Sequence, residues 1–170
     1  MAEIERTRER ERPPLQDNPY ERTLRYRAEQ AERNQNGPVV IRKSEREVFM
    51  ARQGRLRFYL DPLYYTNVPL LMWKVFTHEI RTRSGKHRHQ GGLLIYVLEG
   101  KGYSIVDGER WDWEKGDLVL LPLRPEEVEH QHFNDNPGTP AVWCAFIHYP
   151  IQDYMASDMK HVENSPEFKE

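Results

Sequence analysis

The sequence of 170 residues predicts an all-β protein, a jelly roll or small closed barrel, behind an N-terminal helical extension. Three observations carry this reading. From Arg55 onward β-branched and aromatic residues become frequent, and turn signals return about every 8–12 residues. Asp107–Gly108 separates two short strand-like runs, the spacing of a two-residue type I′ hairpin. The longest apolar runs, Leu93–Leu98 and Leu118–Pro122, have the length of strands, not of helices.

The elements follow in order. The opening stretch MAEIERTRERER alternates acid and base without an apolar core, so a secretory signal is not expected, and residues 1–17 read as a solvated, mobile charged tail. Asn18–Pro19 has the form of a helix start, and the helix is expected to run to about Asn34, stopped by Gly37–Pro38. Its apolar stripe (Tyr20, Leu24, Ala28, Ala31) is thin. Ser44-Glu45-Arg46-Glu47 has the capping-box pattern and predicts a second short helix ending near Gly54. The candidate strands are Arg55–Leu60, Leu70–Thr82, Gly92–Leu98, Gly102–Val106, Glu109–Trp113, Asp117–Pro122, Glu129–Phe133 and Val142–Tyr149. A polar tail from Gln152 has room for one short helix. The chain thus divides into a charged N-terminal tail with helices (1–54), a β-barrel (55–150) and a polar C-terminal tail (151–170).

Composition narrows the function. Lys and Arg number 25 against 27 Asp and Glu, a net charge of −2, which lacks the basic excess of a nucleic-acid binder. No window approaches the roughly 18 apolar residues of a membrane span, so no membrane partner is expected and the cytoplasm is the expected compartment. One Cys rules out an internal disulfide framework and a Cys-rich zinc site, whereas seven His leave a histidine metal site open.

Four of the seven histidines form two His-x-His pairs, His87-Arg88-His89 and His130-Gln131-His132. Residues two apart on a strand project to one face, so each pair can aim both imidazoles into one cavity. Two pairs on separate strands would make a three-His or four-His site. The competing reading is surface histidine at hairpin ends. If His87 and His89 face inward, so do Leu93, Ile95 and Val97. Leu94, Tyr96 and Leu98 then face outward, and because they too are apolar a second layer must cover them. That layer is either more of this chain or a second subunit, and a homodimer through this sheet is the expectation.

The segment HRHQGGLLIYVLEGKGYSIVDGERWDWEKGDLVLLP resembles the first motif of the cupin superfamily and the start of the second. The resemblance spans about residues 70–150 and implies a double-stranded β-helix. The glutamate usual in cupins should fall at Gly92 or Leu93, neither of which can bind a metal. Within cupins this pattern is most similar to the gentisate 1,2-dioxygenase group, with His-Arg-His, Val106-Asp107-Gly108-Glu109-Arg110 and Gly116-Asp117-Leu118-Val119-Leu120. The match implies His87, His89 and His130 as metal ligands, with His132 as a further ligand or a close neighbour, and no catalytic residue beyond the metal. It implies Fe(II), with Mn, Ni, Zn or Cu as other candidates, a small anionic hydroxyaromatic substrate bound through two oxygens, and dioxygen as co-substrate. Three neutral imidazoles leave an ion one charge more positive than a set containing a carboxylate, which favours an anionic ligand. Two departures stand out: those dioxygenases usually carry two such domains in a longer chain, and the stretch from Pro122 to His130 is longer here. A non-oxidative lyase, isomerase or decarboxylase with Zn, Ni or Mn, and a non-catalytic ligand-binding cupin, are the alternative readings.

Five residues are candidate substrate contacts. Gln90 follows the first pair and also suits a turn. Arg81 and Arg83 share one strand face and could clamp a carboxylate if that face is inward. Trp111 shares a face with Trp113, where core packing competes with substrate stacking. His148 shares the face of Cys144 and Phe146. Cys144 reads as an apolar residue, Glu126, Glu127 and Glu129 as a solvated loop, and His78 and His161 have no evident partner.

Overall fold

The computed structural model describes residues 18–136, 138–155 and 157–169; the expected charged tail over residues 1–17 lies outside them. The first element is α1 (Pro19–Asn36). Asn18 caps it by accepting from the Tyr20 N–H at 2.9 Å. No residue of α1 is buried, as its thin apolar stripe predicts.

Eleven strands follow among the described residues: β1 (Phe49–Ala51), β2 (Gly54–Leu60), β3 (Trp73–Ile80), β4 (Lys86–His89), β5 (Leu93–Glu99), β6 (Lys101–Val106), β7 (Glu109–Glu114), β8 (Leu118–Leu121), β9 (Val128–Asn134), β10 (Ala141–His148) and β11 (Lys160–Glu163), with the short helix α2 (Tyr149–Tyr154) before the last. They form two antiparallel sheets. One has the order β1-β2-β3-β10-β5-β8, the other β11-β4-β9-β6-β7. The expected hairpin joins β6 to β7, with Asp107 at φ 50° and Gly108 at φ 86°, both positive as a type I′ turn requires.

Three expectations are corrected. The second helix does not form. A single 3₁₀ turn (Lys43–Glu45) replaces it, with the Glu45 carboxylate accepting from the Arg42 N–H, and the chain then extends as β1. Pairing of Phe49 with Leu56 and of Ala51 with Gly54 outweighs the local capping signal. The segment 86–89, absent from the list of strands, is β4. The polar C-terminal tail supplies the expected short helix but also β11, which pairs with β4 and places His161 opposite His87.

The inner faces pack on a core of Ile80, Leu93, Ile95, Val97, Leu121, Trp143 and Ile147 with neighbours. Ile80, Ile95 and Val97 are fully buried, and each contributes about 1.5–3 kcal/mol of apolar burial. The parity expected of β5 holds: Leu93, Ile95 and Val97 are buried while Leu94, Tyr96 and Leu98 are exposed. Among the described residues no helix is long and apolar enough to cross a membrane.

Gly91 closes the turn between β4 and β5 at φ +79°, and a Cβ there would lie 1.9 Å from the Pro122 carbonyl oxygen. Both the conformation and the space demand glycine. Gly91→Ala is expected to cost about 2 kcal/mol, read by calorimetry as a Tm lower by about 4–8 °C.

Candidate metal centre

The ligand-bearing strands are adjacent. β4 and β9 pair antiparallel with His87 opposite His130, Arg88 opposite Glu129 and His89 opposite Val128. Alternation along β4 sends His87 and His89 inward and Lys86 and Arg88 outward. Both outward cations reach Glu129, which lies 2.8 Å from Arg88 and 3.3 Å from Lys86. His87, His89 and His130 each offer a ring nitrogen, and these nitrogens all lie within 4.8 Å of one another. The longer stretch before His130 therefore does not carry it out of the cluster. Among the described residues no carboxylate joins this group. Glu127 is committed to Lys160 and Arg88, and Glu129 to the outer cations of β4.

Burial keeps these rings neutral. Desolvation first, then repulsion between neighbouring histidines, lowers the pKa of His87 to about 4. Desolvation lowers His89 to about 4 and holds His130 well below the ordinary value. Neutral imidazole is the form that binds metals. The Nδ1–H groups of His87 and His130 face the carbonyls of Gly85 (3.4 Å) and Val128 (3.2 Å), leaving both Nε2 lone pairs for an ion. At His89 the polarity is reversed. The Gly91 N–H donates to Nδ1 at 2.9 Å, so this ring would ligate through Nε2 only with its proton moved or its plane turned. The three-nitrogen donor set fits Fe(II), Mn, Ni, Cu or Zn.

His132 stands outside the trio. The Trp113 Nε1–H donates to Ser104 Oγ at 2.9 Å, and that hydroxyl lies 2.7 Å from His132 Nδ1. The Ser104 hydroxyl thus bridges the Trp113 donor and the His132 ring. His132 also packs edge-on against Trp143, with ring centroids 5.2 Å apart.

These histidines line a cavity of about 380 Å³ whose other walls are largely apolar and aromatic, among them Phe58, Phe76, Ile95 and Trp143. Sequence reasoning missed His78, which is buried in the same cavity beside Trp143 and has its pKa lowered to about 3, mainly by desolvation. Its signal was parity: it alternates with Phe76 and Ile80 on β3. The other substrate candidates lie elsewhere. Arg81 reaches Glu79 and Glu167, and Arg83 pairs with Glu163. Gln90 accepts from the Asp158 N–H and, through its carbonyl, from the Arg124 N–H, a turn role. Trp111 is 57% exposed where Trp113 is 5%, and it lines a separate cleft with Asp107, Asp117 and Arg124. His148 packs edge-on against Trp73, away from the cavity. Cys144 is half-buried on the outer face, and burial pushes its thiol up to about 11.

With fold and site described, the resemblance has a class: residues 75–148 match the cupin domain family, and the barrel carries a three-histidine group able to hold a metal. Within that class the chain is 36% identical over 70 residues to gentisate 1,2-dioxygenase of a Ralstonia species, covering 41% of this chain and 19% of the relative. It is 31% identical over 74 residues to acireductone dioxygenase of Phaeosphaeria nodorum, covering 41% and 42%. The chain thus spans less than half the length of either relative. Two solved structures share the fold. Salicylate 1,2-dioxygenase of Pseudoaminobacter salicylatoxidans, in complex with gentisate, superposes with TM-score 0.51 at 20% identity over 89% of this chain and 39% of that one. Streptomyces PAC13 with uridine superposes with TM-score 0.52 at 15% identity, over 75% and 92%.

The lowered pKa values set an acid limit. Between the unfolded value of 6.5 and the folded values near 4, the unfolded chain takes up protons at His87 and His89 that the folded chain refuses. Stability therefore falls as the pH drops through this window and is unaffected by these groups above it. Urea unfolding from pH 7.5 to 4.5 is expected to show a falling midpoint, and replacing His87 by Gln is expected to flatten that slope.

Proposed function

We propose that His87, His89 and His130 hold Fe(II) and that the protein is a dioxygenase acting on a small anionic hydroxyaromatic compound in the cytoplasm. The observation that carries this reading is the buried, neutral three-nitrogen cluster opening into an apolar, aromatic-walled cavity. The partial similarity to dioxygenases supports it. A bound Fe(II) would supply open coordination positions for a carboxylate–hydroxyl pair and for dioxygen. The chain's own residues exclude water with Phe58, Phe76 and Trp143, and His132 stands beside the proposed ligands, its ring centroid 5.5 Å from that of His130. With no carboxylate in the ligand set, the negative charge that offsets the ion comes from the substrate.

His87→Ala and His89→Ala are each expected to cut iron content by more than tenfold while the fold survives by circular dichroism. Full iron occupancy in either variant overturns the ligand assignment. Oxygen uptake with a panel of hydroxybenzoates is expected for the iron-loaded protein. Turnover without oxygen uptake would place the site in the non-oxidative class, with Zn, Ni or Mn as a Lewis acid.

We also propose a homodimer. The outer face of the six-stranded sheet exposes Leu94, Tyr96, Leu98, Leu118, Leu120 and Phe146. The pairing of Leu94 with Leu120 and of Tyr96 with Leu118 makes the patch continuous. A contiguous apolar patch of this kind marks an interface. Sedimentation at micromolar concentration is expected to show a dimer, and Tyr96→Glu to convert it to monomer; a wild-type monomer removes the proposal.

A further inference from the structure

The cavity has two chemically distinct ends. The inner face of β3 carries His78, Phe76 and Lys74 in alternate positions, all lining the cavity. His78 pairs in register with Trp143, whose ring meets His132, so this level belongs to the histidine end. Lys74, four residues away, lies about 13 Å along the strand from His78. Between them Phe76 and Phe58 meet tilted at a centroid distance of 5.4 Å, and Phe49 continues the wall.

Lys74 is the one Lys or Arg among the residues lining this cavity. Its ammonium faces the Asp61 carboxylate at 3.3 Å, with the Lys74 side chain 22% exposed and that of Asp61 0%. Asp61 is anchored from behind, where its Oδ1 accepts from the Leu63 N–H at 2.8 Å. An ammonium has three donors, and one carboxylate at a single contact leaves the others for the cavity. The pair thus has its acid sealed in the protein and its cation at the cavity wall, where Nζ also lies 5.3 Å over the Phe58 ring. A hydrogen bond with a charged partner is about twice as strong as one between neutral groups.

We propose that Lys74, held in place by Asp61, is the specificity-determining residue for a second anionic group on the substrate, at the end of the ring opposite the metal-binding pair. The substrate class is then a flat aromatic diacid: a chelating carboxylate and hydroxyl at the histidine end, a hydrophobic ring between Phe58, Phe76 and Ile95, and a distal carboxylate on Lys74. This rests on the chelation reading above and adds to it a requirement that chelation alone does not make.

The test is anaerobic calorimetry on the iron-loaded protein with two probes, 2-hydroxybenzoate and the same acid carrying a second carboxylate at position 5. The diacid is expected to bind at least tenfold more tightly. Lys74→Arg is expected to keep that preference. Lys74→Met combined with Asp61→Asn, which removes the pair without stranding a buried charge, is expected to erase it and leave the affinity for 2-hydroxybenzoate within about twofold. Equal affinity for both probes in the wild type, or a preference that survives the double variant, overturns the role of Lys74 while leaving chelation intact. Binding of neither probe overturns both.

Discussion

His87 and His130 face each other across a single strand pair, and the site depends on that register. Side chains alternate with a period of two, so a slip of one residue between β4 and β9 would turn Arg88 or Glu129 into the cavity and the histidines out of it. The outer face resists such a slip. Arg88 and Glu129 are directly opposite and ion-paired, and Lys86 shares the same acid. A surface ion pair is worth little as stability. Here its value is registration, because the wrong register would bury a guanidinium among apolar side chains.

Holding five imidazoles in one interior costs desolvation, which is why each pKa is lowered. The surroundings offset this cost with specific partners. Carbonyls of Gly85 and Val128 take the Nδ1–H of His87 and His130, and Ser104 with Trp113 holds His132. Trp143 lies edge-on to both His78 and His132, joining the histidine layer to the hydrophobic core. On the far side Gly54 allows His78 its place, since a Cβ there would stand 2.6 Å from its Nε2.

Period-two reasoning reached most of this from sequence. The eight strands, the Asp107–Gly108 hairpin, the two inward His-x-His pairs and the two-sided apolar character of β5 follow from alternation and turn chemistry, whereas the choice of His87, His89 and His130 comes from the resemblance. What it missed shares one cause: alternation says which face a side chain occupies, not what lies across from that face. Trp111 and Trp113 share a face, yet β7 is an edge strand, and only Trp113 meets the opposing sheet. Arg81 and Arg83 are extended and alternating, but Glu79, Glu163 and Glu167 claim them outside the cavity. β1 and β11 are polar or short, and partners distant in sequence create them. His78 carried the right parity but no neighbouring histidine to draw notice.

The missing carboxylate ligand is built into the structure. Gly92, one of the two positions where cupins usually place a glutamate, sits at φ +74°, a conformation that a glutamate side chain adopts only at a cost. Leu93, the other, is a core residue paired with Leu121 on β8. A ligand at either place would require backbone change or the loss of a buried apolar contact worth about 1.5–3 kcal/mol. The acids nearest in sequence, Glu127 and Glu129, are bound to cations outside. No rotamer change can restore an anionic ligand from these positions, so compensation of an ion's charge falls to whatever enters the cavity. The chain's net charge of −2 carries no information about this. On the proposed reading, the relevant charges inside the barrel are an ion among neutral nitrogens at one end and the Lys74–Asp61 pair at the other.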